Sequence, residues 1–150
     1  MKKIFMITIG GFAVLVASVL FSGSMRANSD AIVSRNGLHW HPRLEILIRG
    51  ERYEIPAGIG IGPHYAGMPT YDSSMRMTAM HTHEQDGIIH LEFPGSVTEE
   101  SLRLGTFFRI WGKSPNEFGS LARVAINGVE TNTFLEYQLR DGDIIVMNYE

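Results

Sequence analysis

The chain of 150 residues contains no cysteine at all. Its fold therefore cannot rest on disulfide bonds, and no Cys-His pair is available to supply a nucleophile. The same absence excludes lipidation of the bacterial lipoprotein type, which needs a cysteine after the N-terminal apolar segment. A Ser-His-Asp arrangement is not evident either, so nothing in the sequence indicates covalent catalysis.

Basic residues are neither abundant nor clustered. Thirteen lysines and arginines stand against sixteen acidic residues, for a formal charge of −3 with neutral histidines. No basic stripe is present, so we do not expect a nucleic-acid partner. Protonating the six histidines would bring the net charge to about +3 near pH 5, which makes the charge sensitive to pH.

The N-terminus predicts a targeting segment. Lys2 and Lys3 precede an uncharged apolar run at residues 4–21, and cleavage after Ser24 would fit the small residues that follow. The run approaches the ~20 residues of a membrane span, so an uncleaved N-terminal anchor competes with a signal peptide. We therefore expect a signal peptide or anchor at 1–24, a linker at 25–37 and one domain at 38–150. The domain would be extracytoplasmic, either periplasmic or secreted, or anchored to the membrane.

Short apolar segments predict a mixed sheet of about four to five strands. "LEILIRGERYEIPAG" predicts a hairpin that turns at residues 49–51, and "GIIHLEF" predicts a short strand. "LARVAING" and "DIIVMNY" predict two further strands, with turns at 127–128 and 141–143. Residues 57–80 are rich in Gly, Pro and Ser and predict a long irregular loop.

A single helix is expected over residues 98–113. Large apolar residues recur at a spacing of three to four from Leu104 to Trp111. Ser96 and Glu99 have the pattern of a capping box at its start, and Gly112 predicts its end. One helix on a mixed sheet belongs to the α+β class.

The C-terminal part of the chain resembles a β-grasp (ubiquitin-like) domain. A strand, an Asn-Gly turn, "LRDGD" and a closing strand are similar to those of the sulfur-carrier proteins of thiamin and molybdopterin synthesis. The resemblance implies a β-grasp-like sheet packed on one helix, with the long loop as an insertion. Those carriers act through a C-terminal Gly-Gly, whereas this sequence ends in "VMNYE", so we do not expect a carrier role. Function must be argued from the site.

All six histidines lie between residues 39 and 90, and five of them predict a metal site. His39 with His41, and His81 with His83, form two His-x-His pairs, and extended backbone directs each pair to one face. His90 follows in a predicted strand. Zinc and copper bind three or four converging donors such as neutral imidazoles, so we interpret these five histidines as metal ligands. The alternative is that they are ordinary surface or core histidines.

Three carboxylates adjoin these histidines. Each could add a ligand, orient an imidazole by a hydrogen bond, or act as a general base; they are Glu84, Asp86 and Glu92. His64 stands alone in the loop and is expected in solvent. The glycines of "GIGIG", at 58–62, lack the spacing of a phosphate-binding loop.

The motifs together resemble a family of small exported or membrane-anchored proteins of bacteria and archaea. Its members read His-Thr-His-Asp, Gly-Ile-Ile-His, an acidic residue and Pro, then Leu-Gly-x-Phe-Phe-x-x-Trp-Gly. This chain has "HTH", "DGIIHLE" and "LGTFFRIWG", and the resemblance covers most of residues 39–149. It differs at Glu84, where aspartate is usual. The resemblance implies that the five histidines form the site, and it implies no reaction.

The sequence leaves three functions open. The first, which we predict, is an extracytoplasmic protein that binds copper or zinc for sequestration, delivery or sensing, because it needs ligands and no nucleophile. Soft thioether ligands would favour copper, although methionines are more often adaptable packing residues. The candidates lie in the loop before His81: Met68, Met75, Met77 and Met80. The second function is a metal-dependent enzyme with one of the carboxylates as general base. The third is a membrane-tethered interaction domain that binds a protein partner and responds to pH.

Overall fold

The computed structural model describes residues 31–150. The strands, in chain order, are β1 (Ile32–Ser34), β2 (Leu38–Trp40), β3 (Arg43–Ile48), β4 (Glu51–Tyr53), β5 (Tyr71–Asp72), β6 (Met77–Thr78), β7 (Met80–His81), β8 (His90–Phe93), β9 (Val97–Thr98), β10 (Leu121–Ile126), β11 (Val129–Glu130) and β12 (Ile144–Tyr149). The α-helix of this part of the chain, α1, spans Leu104–Trp111. The predicted signal peptide or anchor at 1–24 lies outside the described residues. Within 31–150, no helix is long and apolar enough to cross a membrane.

The largest sheet has five strands in the order β11-β10-β12-β3-β4. Its central pair, β12 and β3, is parallel, and the other pairs are antiparallel. The predicted hairpin that turns at 49–51 is present as β3 and β4, and the predicted turn at Asn127-Gly128 joins β10 to β11. Arg49, Gly50, Asn127 and Gly128 take the positive φ angles that a tight two-residue turn needs. The predicted mixed α+β class is therefore confirmed.

A smaller antiparallel sheet has the order β2-β8-β7. Successive side chains along its strands point to opposite faces of the sheet. One face carries Leu91, Phe93 and Met80, which are buried. These side chains belong to the same apolar cluster as the buried residues of β3 and β12. Helix α1 contributes the buried Leu104, Phe107, Phe108 and Ile110 to that cluster. The core thus holds the small sheet, the helix and the central strands of the main sheet together.

The start of the helix differs from the prediction. Residues 100–102 form a 3-10 turn, Arg103 is extended, and only then does α1 begin. The reason is tertiary: Arg103 bridges Gln138, and the backbone N–H of Leu104 donates to Tyr137 O at 2.9 Å. These bonds across the fold outweigh the local helical pattern.

The expected capping box of Ser96 and Glu99 is also wrong, because Val97–Thr98 is strand β9, which pairs with β1. A capping box does form further along. Ser114 Oγ accepts from the backbone N–H of Asn116, and Glu117 Oε1 accepts from that of Ser114, at the 3-10 turn Pro115–Phe118. Predicted helix 98–113 therefore becomes a strand, a turn and a shorter helix that ends at Gly112 as expected.

Two segments predicted to be irregular contain ordered pairing. The predicted linker at 25–37 overlaps β1, which belongs to the compact unit Ile32–Glu150. The predicted irregular loop at 57–80 contains the β5-β6 hairpin and the first residue of β7. Asp72 stabilises the β5-β6 turn by accepting from the backbone N–H groups of Ser74 and Met75. In such an Asx turn, hydrogen bonds to the side chain take the place of backbone hydrogen bonds between longer strands.

We predict that Asp143→Ala lowers the free energy of unfolding by about 1–3 kcal/mol, because it removes two hydrogen bonds to a charged acceptor. The Asp143 carboxylate is buried and accepts from Arg140 N at 2.7 Å and from Asn127 Nδ2 at 2.8 Å. Urea denaturation at pH 7 measures the loss. Glu54→Ala, at an exposed position, is the control, and an equal effect of both substitutions would contradict the role of Asp143.

Candidate metal centre

The outer face of the small sheet carries the predicted ligands. In β8, His90 and Glu92 alternate with the buried Leu91 and Phe93. His81 in β7 pairs directly with His90, and His39 in β2 pairs with Glu92. The β2-β8 register, extended by one residue, brings His41 opposite His90. Strand alternation therefore directs these side chains to the face away from the core.

All five predicted histidines come together around His90. Ring centroids of His41, His81 and His83 lie 5.0, 5.6 and 4.6 Å from that of His90. Each His-x-His pair shares a face as predicted, with centroids 4.6 Å apart for His39 and His41 and 4.7 Å apart for His81 and His83.

The cluster divides into two groups that could hold a metal ion. The first group is His81, His83, His90 and Glu92, and the second is His39, His41 and His90. Within each group the ligand atoms lie within 4.8 Å of one another. We call the first the inner group, because His81 is fully buried, and the second the outer group, because the His39 and His41 side chains are 62% and 41% exposed. His90 belongs to both groups.

In the inner group, a hydrogen bond fixes the orientation of the His81 imidazole. His81 Nδ1 lies 3.0 Å from the carbonyl oxygen of Thr78, to which it donates. This bond leaves the lone pair on Nε2, which faces His83 Nε2 at 3.1 Å. Two nitrogens bound to one tetrahedral zinc, each at about 2.0–2.1 Å, lie roughly 3.3 Å apart, so the observed separation suits a shared ion. Thr78 was not predicted, since nothing in the sequence indicates that its carbonyl would accept this bond.

Burial favours the neutral form of two of the histidines, because it lowers their pKa values. Desolvation lowers the pKa of His81, with a smaller opposing effect from the Thr78 carbonyl. Burial likewise lowers the pKa of His90, and the neighbouring histidines lower it further. A histidine binds a metal ion through an unprotonated ring nitrogen, so both pKa shifts favour the form that can bind a metal. His90 Nδ1 is moreover buried without a hydrogen-bond partner in this part of the chain, which is unusual for a polar atom.

Only one of the three candidate carboxylates joins the cluster. Glu92 Oε1 lies 3.0 Å from His39 Nε2, which is an ion-pair distance, and 3.9 Å from His90 Nδ1. Asp86 instead caps its own turn by accepting from Ile88 N at 2.9 Å, and Glu84 is exposed and belongs to neither group. His64 is exposed in its loop, as expected. Glu92 is therefore the carboxylate that could ligate or orient.

The methionines of the preceding segment lie in different surroundings. Met80 is fully buried in the core, on the face of β7 opposite His81. Met75 is 45% exposed and lines a cavity of about 200 Å³ together with His39 and Glu92. Met75 and Met77 also line a neighbouring cavity of about 320 Å³, which Glu92 borders. Thioethers thus lie beside the cluster at Met75 and Met77, but not at Met80.

The glycine-rich segment covers His81. Gly58 N donates to Thr82 O at 2.8 Å, Thr82 N donates to Ile59 O at 3.0 Å, and Thr78 N donates to Gly60 O at 2.8 Å. Gly60 has a φ of +78°, and a Cβ built on it would lie 2.6 Å from Met80 O. Only a residue without a side chain allows this approach. The segment that resembles a phosphate loop in composition is therefore the cover of the inner group.

No family model, curated protein or solved structure matches the chain. Function must therefore be inferred from the histidine cluster itself.

We predict that Gly60→Ala destabilises the fold more than Gly58→Ala. Both glycines have positive φ, so both substitutions carry a left-handed penalty of roughly 1–2 kcal/mol. At Gly58 a Cβ would meet open space, whereas at Gly60 it would clash with Thr78 Oγ1 and the Met80 carbonyl. Thermal unfolding of the two variants measures the difference, and histidine NMR signals report whether His81 moves. Equal melting temperatures would refute the covering role.

Proposed function

We propose that the cluster binds a transition-metal ion, copper or zinc, and that the protein is an extracytoplasmic metal-binding protein for sequestration, delivery or sensing. The observation that carries the proposal is the pair of facing Nε2 atoms of His81 and His83. Their separation of 3.1 Å suits two ligands of one ion, and the Thr78 carbonyl holds His81 in the tautomer that can bind. The unpartnered Nδ1 of His90 and the carboxylate of Glu92 offer further donors.

The location outside the cytoplasm rests on the sequence. Lys2, Lys3 and the apolar run at 4–21 support export or anchoring, and the lack of cysteine agrees with a site built from imidazoles. Fractionation of cells that express the chain tests this proposal. Recovery of the protein only with the cytoplasmic fraction would reject it.

Copper is our preferred metal on one observation. Met75 borders the same small cavity as His39 and Glu92, so a thioether is available beside imidazoles. Soft sulfur favours Cu(I), while zinc is satisfied by imidazole and carboxylate alone. If Met75 contributes, then Met75→Leu weakens Cu(I) binding and leaves Zn²⁺ binding unchanged.

We also propose that the main sheet and α1 form a β-grasp fold and that the chain belongs to the exported family named above. The order β4-β3-β12-β10-β11, with a parallel central pair and a helix between the two hairpins, supports the fold. The motifs around His81 and His90 support the family. An experimental structure with another strand order would reject the fold. Absence of metal binding by a second protein with these motifs would weaken the family argument.

Elemental analysis of the untagged full-length chain is the first test of metal binding. We expect about one equivalent of copper or zinc per chain, as for a site with three to four ligands. His83→Ala, at an exposed ligand, should lower the affinity at least tenfold, because it removes one donor from the inner group. His64→Ala is the matched control, since His64 is also exposed and lies in neither group.

The contrary outcome is equally definite. If the wild-type chain carries no metal and neither copper nor zinc raises its melting temperature, metal binding is rejected. The interaction domain that responds to pH then becomes the better explanation of the cluster.

A second candidate function is a metal-dependent enzyme, and the cavity of about 320 Å³ beside Glu92 favours it. A small molecule there would lie next to the carboxylate, which could act as general base toward a metal-bound water. Glu92→Gln separates the two functions, with Glu84→Gln as the control. If Glu92 is a ligand, the substitution lowers metal affinity. If it is a base, the affinity is retained and turnover is lost.

A further inference from the structure

The residue between the two histidines of the inner His-x-His pair is Thr82, and it is fully buried. Its backbone N–H donates to Ile59 O at 3.0 Å, and its carbonyl accepts from Gly58 N at 2.8 Å. Its hydroxyl donates to Pro56 O at 2.8 Å and accepts from Ile59 N at 3.1 Å. All three polar groups of this residue are therefore bonded to one segment, residues 56–59.

The segment that receives these bonds is itself held in the core. Ile55 and Ile59 are buried and belong to the apolar cluster that joins the sheets and the helix. A buried donor or acceptor that loses its partner is costly, so the four bonds keep Thr82 in one position relative to this segment. The core thus determines where Thr82 lies.

The two neighbouring histidines depend on Thr82 to different degrees. His81 has bonds of its own, because it pairs with His90 in the sheet and its ring bonds to the Thr78 carbonyl. His83 lies beyond the end of β7, is exposed, and makes no backbone hydrogen bond to the rest of residues 31–150. The position of Thr82 therefore decides whether the His83 ring can reach His81.

We infer that Thr82 is a positioning residue of the metal site. Its hydroxyl holds the chain to Pro56 and Ile59, and this places His83 Nε2 opposite His81 Nε2, at the 3.1 Å that suits one shared ion. The inference rests on the proposed metal binding and adds to it a residue that does not touch the ion. Residues that orient metal ligands typically change metal affinity by about 10–100-fold when they are replaced.

The test is Thr82→Val in the full-length chain, since valine has the shape of threonine but forms neither hydroxyl bond. Thr106→Val is the matched control. Thr106 is also buried, and its hydroxyl donates to Glu100 O and accepts from Arg109 Nη2, both at 3.0 Å, but it lies in α1 and in neither histidine group. Thr82→Ser keeps the hydroxyl and removes only the methyl group. The probe is Zn²⁺ in competition with a coloured zinc indicator, in sucrose to favour the folded state.

For Thr82→Val we expect the zinc affinity of the folded protein to fall at least tenfold. Thr106→Val and Thr82→Ser should stay within about threefold of the wild type, even where their melting temperatures fall. A double-mutant cycle then separates positioning from stability. In a chain that already carries His83→Ala, Thr82→Val should change the affinity by less than about threefold, because the ligand that it positions is absent.

Three results would overturn the inference while metal binding stands. An equal loss of affinity in Thr106→Val would mean that general destabilisation weakens the site. A tenfold loss from Thr82→Val that persists with His83→Ala would mean that Thr82 does not act through His83. A tenfold loss in Thr82→Ser would assign the effect to the methyl group and not to the hydroxyl. Failure of the wild type to bind either Zn²⁺ or Cu²⁺ would instead reject the proposed function, and this inference with it.

Discussion

The pairing of β8 with both β2 and β7 at one register is the constraint on which the candidate site depends. A shift by a single residue would turn Leu91 and Phe93 to solvent and bring His90 and Glu92 into the core. Apolar burial therefore opposes the shift, and burying an unpaired carboxylate opposes it as well. The histidines converge because the opposite face of the same strands is hydrophobic, so packing of the core is enough to form the cluster.

The ring of His81, in the inner group, is held by more contacts than the rings of the outer group. The backbone next to His81 bonds to the glycine-rich segment, and its ring bonds to the Thr78 carbonyl, so both its position and its tautomer are fixed. His39 contacts Glu92 at an ion-pair distance, and its side chain is 62% exposed, while that of His41 is 41% exposed. The cluster therefore combines one fixed, buried imidazole with several exposed ones.

Local patterns predicted the parts of the fold that local interactions decide. The hairpin at 49–50 and the turn at Asn127-Gly128 follow from residues that tolerate positive φ, and the end of α1 follows from Gly112. The start of the helix could not be predicted, because bonds from residues 102–104 to 137–139 interrupt it. Strand β1 could not be predicted for the same reason, since its partner β9 lies more than sixty residues later in the chain.

The candidate site likewise has parts that local sequence patterns predict and parts that depend on contacts between distant segments. The spacing of the His-x-His pairs was enough to predict that each pair shares a face, and the structure brings both pairs to His90. The choice among the three carboxylates was beyond the sequence. Glu92 faces the cluster because β8 extends that far, whereas Asp86 turns back to cap Ile88. The cover by Gly60 also depends on contacts between distant segments.

Strand β12 follows all the other described strands in the sequence, yet it lies in the middle of the main sheet, between β10 and β3. Residues just before it also anchor the segment that carries the outer histidines. His41 N donates to Asp141 Oδ1, and Arg43 N donates to Asp143 O, both at 2.8 Å. Neither half of the sheet can complete its pairing before β12 has been synthesised. A chain that crosses a membrane unfolded would therefore assemble its histidines only on the far side. If the cluster binds a metal, the supply of that compartment, and not that of the cytoplasm, would then decide which ion is bound.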